Sequence, residues 1–321
     1  MLVVAALGGN ALLRRGEPMT AAAQRANIVR AADALAPLLR DHQVVITHGN
    51  GPQVGLLALQ NNAYPEVDPY PLDVLDAETE GMIGYMLELE LGHHHGSRRM
   101  ATILTQVIVD PNDPAFTRPT KFIGPVYDVE QAHAVASARG WSIAPDGDHW
   151  RRVVASPEPH AIVEIDAIRT LLGNGYAVIC AGGGGIPVTS ASDGVLTGCE
   201  AVVDKDLVSA RLAIDIGADA LLLLTDVDAV YTDWATPAQR PVRHTSVREL
   251  RSLGLASGSM GPKAEALCRF VEHGGGFAAI GSLADAERLL AGATGTFLGQ
   301  PPSLGQTACR TATSIALTNG S

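Results

Sequence analysis

The sequence is punctuated by short aliphatic runs that show no polar alternation, clearest at Leu2 to Leu7, Val44 to Thr47, Ile103 to Val109, Val178 to Ala181 and Leu221 to Thr225. A strand with one wet face alternates apolar and polar residues, so runs of this kind predict strands buried on both faces. The segments between them carry helical spacing. From Thr20, an N-cap residue, Ile28, Leu35, Leu38 and Leu39 fall on one helical face, and Glu200 to Ile216 reads as a helix closing on Gly217. Strands alternating with helices predict a three-layer α/β/α fold around an open, mainly parallel sheet. In such sheets ligands bind beyond the carboxyl ends of the strands.

Composition narrows the function classes. Hydrophobic residues make up 46% and charged residues 18% of the 321, a globular balance, and at 4% aromatics the core must be mostly aliphatic. A formal charge of −11 argues against a generally basic nucleic-acid-binding surface. Cys180, Cys199, Cys268 and Cys309 are widely spaced with no CxxC pair, which fits free thiols in a cytoplasmic protein. The apolar N-terminus lacks a basic region before it and a cleavage-like site after it. No stretch reaches about 18 unbroken apolar residues, so neither a signal peptide nor a membrane span is expected. Residues 110–159, rich in proline and charge, read as an inserted subdomain or lid, and the small, polar tail 300–321 reads as poorly packed.

Glycine-rich or turn clusters stand at the predicted strand ends: LGGN at Leu7 to Asn10, THGNGPQVG at Thr47 to Gly55, AGGGGIPV at Ala181 to Val188, and LTDVDAVY at Leu224 to Tyr231. Glycine allows close backbone approach, and amides at the following helix start can donate to anionic oxygens. One such cluster is ordinary turn punctuation; three on successive strand ends suggest an anionic ligand. A P-loop, a correctly placed dinucleotide fingerprint and the protein-kinase motifs are all missing. The three lysines are more telling. Lys121, Lys205 and Lys263 each sit beside Gly, Pro, Asp or Thr at the start of an element, unlike solvated helix-face lysines. That setting points to phosphate work. Asp204 and Asp206 flank Lys205 and either cap a helix or organise the lysines, while Asp226 and Asp228 are either turn formers or contacts to ribose and nucleotide-borne magnesium.

The run His93, His94, His95 reads as a solvated loop, since no carboxylate or thiol is spaced to complete a metal site. His48 reads as a buried histidine with its hydrogen bond satisfied. Arg151 and Arg152 fit equally a lid over the site and a solvated strand edge.

The strings LGGNAL, THGNGPQVG, EGMIGY, DPAF followed by PTKFIGP, WRRVVASPEP, GGGGIPV, VVDKDL, LTDVDAVY and GSMGPK occur in the order seen in carbamate kinases, a branch of the amino acid kinase superfamily. The chain resembles that family from about Val3 to Leu298. The resemblance implies an eight-stranded, mainly parallel sheet and a homodimer. It implies an acceptor lobe over residues 1–204, including the protruding 110–159 subdomain, and a nucleotide lobe over 205–299. By motif, Lys121, Lys205, Asp206 and Lys263 would be catalytic, and Gly8, Gly9, Asn10, Gly49, Asn50, Gly51, Gly183 and Gly184 would hold substrate and phosphate. Thr225, Asp226, Val227, Tyr231 and Met260 would contact nucleotide. Where much of the superfamily carries a lysine before the first Gly-Gly, this chain has Ala6, and Lys121 would supply the replacement charge. Phe122 and Ala155 stand where prolines are usual, which touches the lid more than the chemistry.

The implied activity is reversible transfer of the ATP γ-phosphoryl group to carbamate, with Mg2+ carried by ATP or ADP, in arginine metabolism. Carbamate is already an anion and needs no general base, which suits a site of lysines and amides. The alternatives are a related small-acid kinase and a non-catalytic nucleotide sensor on the same fold; a retired kinase would be expected to have lost one of its four charged residues.

Overall fold

The computed structural model describes residues 1–302 except 15, 65, 67, 96–98 and 257–259, together with the side chains at 10 and 95; the expectation for the tail therefore falls, from 303 onward, outside the described residues. The central sheet is built from β1 (Leu2–Leu7), β2 (Gln43–His48), β3 (Met100–Thr102), β4 (Ala177–Ile179), β5 (Ala220–Thr225), β6 (Phe277–Ser282) and β7 (Thr296–Gly299). Their order is β7-β6-β5-β1-β2-β4-β3, seven strands among the described residues where the resemblance implied eight. All neighbours are parallel except the edge pair β6–β7.

The unbroken apolar runs have a direct cause in this sheet. On β1, Val3, Ala5 and Leu7 enter one core with Ile28, Leu35, Leu38 and Leu39, and Val4 and Ala6 enter the other with Val208, Leu212, Leu267 and Phe270. The first core is closed by α2 (Ala21–Asp41), which follows the short α1 (Gly9–Leu12), and by α4 (Leu72–His95), which follows α3 (Gly51–Asn62). The second is closed by α5 (Lys205–Asp215) and α6 (Met260–Glu272). Thr20 caps α2, its hydroxyl accepting from the Ala23 amide at 3.2 Å.

Three expectations are corrected. The run Ile103 to Val109 is not one strand: the Thr105 amide donates to Glu80 at 3.0 Å and the Gln106 amide to Glu164 at 2.7 Å, which turns the chain out of the central sheet. Gln106–Ile108 then joins a separate sheet beside Ile186–Ser190. The helix expected from Glu200 begins at Lys205, because the Asp204 carboxylate accepts from the amides of Asp206 and Leu207 at 2.9 and 3.3 Å. The histidine run is helical, forming the end of α4, with His93 against Glu90 and His94 against Asp33.

Within the proline-rich segment, Lys121–Tyr127, Ile143–Asp146 and His149–Val154 make a small antiparallel sheet backed by the helix Val129–Arg139. Arg151 donates to the Gly124 carbonyl at 2.9 Å and pairs with Asp146 at 3.2 Å, while Arg152 lies over the Trp141 ring at 4.2 Å. Both arginines hold this sheet together. It meets the main body where Gly55 of α3 faces Gly124: a Cβ on Gly55 would stand 1.9 Å from the Gly124 Cα.

Candidate active site

Sheet register gathers the loops. Leu7 lies opposite both His48 and Leu224, and Ile46 lies opposite Ile179, so the chain leaves β1, β2, β4 and β5 at the same edge. The glycine loops meet there. A Cβ on Gly49 would stand 3.2 Å from the Gly9 Cα and 3.3 Å from the Lys205 Cδ, whereas one on Gly9 or Gly51 would meet nothing within 4 Å. Gly9 and Gly51 thus border open space, and Asn10 is placed in α1 by its backbone. Gly8 donates its amide to the Leu224 carbonyl at 2.7 Å. The room left by Gly183 and Gly184 is filled by protein: added Cβ atoms would lie 2.2 Å from the Asn50 Nδ2 and 2.3 Å from the Val203 carbonyl oxygen. Gly183 also has φ +72°, which disfavours any L side chain.

All three lysines converge on this edge from distant parts of the chain. The Lys205 and Lys263 ammonium groups bind the two oxygens of Asp206 at 2.5 and 2.8 Å, and Lys121 binds Asp204 at 2.5 Å. Asp206 is 2% exposed. Burial alone would raise its carboxyl, but the two lysines outweigh it and hold the group well below the usual carboxylate range. Burial lowers Lys205 despite Asp206; at Lys263, burial is outweighed by Asp206, which raises it. The Asp204 carboxyl, also disfavoured by burial, is held low chiefly by Lys121. Ala6 is fully buried and has no open neighbour space of its own.

Beside Lys263, Gly8 and Gly9 opens a cavity of about 460 Å³. Thr225, Asp226, Val227, Tyr231 and Met260, the residues expected to contact nucleotide, all line it. Sequence reasoning missed Trp234, Leu255 and Ala256 on the same wall; Trp234 packs its ring against Tyr231 at 5.4 Å between centroids. Asp228 accepts from the Tyr231 hydroxyl at 2.7 Å, so it steadies that ring.

A second group missed by sequence reasoning lies behind the loops on α4. Glu80 accepts from the amides of Gly182 and Thr105 at 2.8 and 3.0 Å, and burial pushes its carboxyl up to about 8. Asp76 and Thr79 accept the two amide protons of Asn50. The signal in the sequence was the string EGMIGY, which Glu80 opens and to which no role was attached; Asp76 and Thr79 lie just before it. His48 is buried as expected, with Nδ1 3.2 Å from the Gly49 carbonyl, but its Nε2 has no partner among the described residues. Burial lowers this imidazole to about 4. Among the described residues no three His, Cys, Asp or Glu side chains cluster as a metal cage.

A sequence model of the amino acid kinase family matches residues 1–282. The carbamate kinase of Rhizobium meliloti (strain 1021) is 56% identical over 93% of this chain and 93% of its own. The chain belongs to the carbamate kinases of the amino acid kinase family. The carbamate kinase of Escherichia coli (strain K12) is 54% identical over 92% of this chain and 98% of its own. Among solved structures, the carbamate kinase of Giardia lamblia bound to AMP-PNP superposes with a TM-score of 0.84 at 38% identity, over 92% of this chain and 98% of the other. A carbamate kinase is a phosphotransferase, and the mainly parallel α/β fold of this chain is that of the solved carbamate kinase structure.

Proposed function

We propose that the chain transfers a phosphoryl group reversibly between ATP and carbamate, the nucleotide lying in the cavity beside Lys263 and the acceptor between the loops of Gly9 and Gly49. The observation that carries this reading is the convergence of Lys121, Lys205 and Lys263 on Asp204 and Asp206, with Lys263 also lining that cavity. Phosphoryl transfer asks little covalent chemistry of a protein; it asks for in-line placement and for cations around the equatorial oxygens. A carbamate oxygen attacks the γ-phosphorus without prior deprotonation, the P–O bond to ADP breaks, and the lysines neutralise the charge in transit. Asp206 positions two ammonium groups and Asp204 the third. Gly9, Asn10, Asn50 and Gly51 offer amides to the acceptor and the transferred group; Gly8 and Gly49, whose amides are taken by the Leu224 and Leu7 carbonyls, shape the loops that carry them, and Gly183 and Gly184 pack behind. Mg2+ enters with the nucleotide as part of the substrate.

The same reading takes residues 1–204 as the acceptor lobe and 205–299 as the nucleotide lobe, with the small sheet bringing Lys121 in from above. It places the enzyme as a cytoplasmic homodimer in arginine metabolism. Free thiols at Cys180, Cys199 and Cys268 support a reducing compartment, and the dimer and the pathway rest on family resemblance. No helix among the described residues is long and apolar enough to cross a membrane. The test is a coupled assay of ATP formation from ADP and carbamoyl phosphate, in which Lys263→Ala should lower kcat by about 10²–10³-fold. Near-normal turnover in that variant would remove Lys263 from the mechanism, and no turnover in the wild type would remove the activity.

A further inference from the structure

A primary amide can present its oxygen or its nitrogen to a ligand, and the groups holding its other end decide which. Asn50 stands between Gly49 and Gly51 at the start of α3, 2% exposed. Behind it, the Thr79 hydroxyl donates its single proton to the Asp76 carbonyl at 2.9 Å. Its oxygen can therefore only accept, and it accepts from the Asn50 Nδ2 at 2.9 Å. The Asp76 Oδ1 takes the second amide proton at 2.8 Å. Burial pushes the Asp76 carboxyl well above its usual range, and its Oδ2 has no partner among the described residues, which suits a proton on Oδ2 and an accepting Oδ1. Both Asn50 protons are thus committed to α4. The Asn50 Oδ1 receives no hydrogen bond from the described residues and is not among the enclosed polar atoms, so it is the end of the amide left open to a ligand. Gly183, pressed against the amide from the other side, keeps the group from swinging away.

We propose that Thr79 and Asp76 are positioning residues that lock the Asn50 amide with its carbonyl oxygen toward the acceptor, where it reads an N–H and so selects an amino-bearing carboxylate over a methyl-bearing one of the same shape. The inference rests on the carbamate reading of the site. An acceptor with a methyl group in that place leaves a buried oxygen without its donor, a larger penalty than any difference in fit.

Carbamoyl phosphate and acetyl phosphate differ by this one group, NH2 against CH3, and make the test. The wild type is assayed for ATP formation from ADP and carbamoyl phosphate, with acetyl phosphate titrated in as a competing ligand. We expect the KM for carbamoyl phosphate to lie at least about 10-fold below the inhibition constant of acetyl phosphate. Thr79→Val, which frees one amide proton, should lower kcat/KM for carbamoyl phosphate about 10-fold and leave the acetyl phosphate constant within about twofold, and Thr79→Ser should restore it. A parallel loss for both ligands in Thr79→Val, or no loss for either, would overturn the proposal. If that variant does not fold, the wild-type ratio decides alone, and equal affinity for the two phosphates overturns it. Absence of any ATP formation by the wild type would instead sink the functional reading and this inference with it.

Discussion

Asp206 is the residue on which the site turns, because one buried carboxylate holds two ammonium groups at 2.5 and 2.8 Å. Removing it would strand two cations and cost on the order of 3–5 kcal/mol, so its loss should show in stability as well as in rate. Glu80 and His48 shape the pH response in opposite senses. The His48 imidazole falls from its ordinary 6.5 to about 4, so its contribution is complete above 6.5 and is lost as pH drops toward 4. The Glu80 carboxyl rises from 4.5 to about 8, so its contribution is complete below 4.5 and is lost as pH climbs through 8. Between pH 6.5 and 8 only the Glu80 slope remains of the two, and it should take about 2 kcal/mol from stability. Thermal unfolding across that interval should fall for the wild type and stay flatter for Glu80→Gln; equal slopes would contradict the assignment. The lysines were legible in the sequence because they are so few and stand beside turn residues. Asp76, Thr79 and Glu80 were not, because a carboxylate on a long helix looks solvated until the partner behind it is known.

At the level of elements, the contact between Gly55 and Gly124 sets how closely the small sheet approaches α3. Gly55→Ala would drive a Cβ to 1.9 Å from the Gly124 Cα, which forces the strand Lys121–Tyr127 outward and Lys121 with it. We expect a stability loss of about 1–3 kcal/mol and a fall in kcat of at least about 10-fold, read by thermal unfolding and the coupled assay. Unchanged turnover would mean that Lys121 reaches the site independently of this contact. The strands β1, β2, β4 and β5 were readable because both their faces are core. The run from Ile103 to Val109 misled because its apolar residues serve two different sheets, and what divides them is a pair of backbone amides answering Glu80 and Glu164. Hydrophobicity carries no mark of that. The start of α5 was likewise decided by one side chain, Asp204, rather than by the spacing around it.

For the molecule as a whole, the alternation of strand and helix was enough to place the site at the carboxyl edge of a parallel sheet, and family strings were needed to say which phosphoryl acceptor goes there. The packing of the lysines against aspartates has a consequence for how the enzyme meets its substrates. Three ammonium groups beside Asp204 and Asp206 leave one net positive charge, on a chain whose formal charge is −11. Seen from beyond a Debye length of about 10 Å, such a centre exerts almost no pull on an approaching polyphosphate. Its cations act only after arrival, when phosphate oxygens take the ammonium protons that the aspartates leave open. Raising the salt from about 50 to about 300 mM should therefore shift the KM for ADP by less than about threefold, where a site of unpaired lysines would weaken far more. Capture by this enzyme is then a matter of collision and fit, largely indifferent to the ionic strength of the medium in which it works.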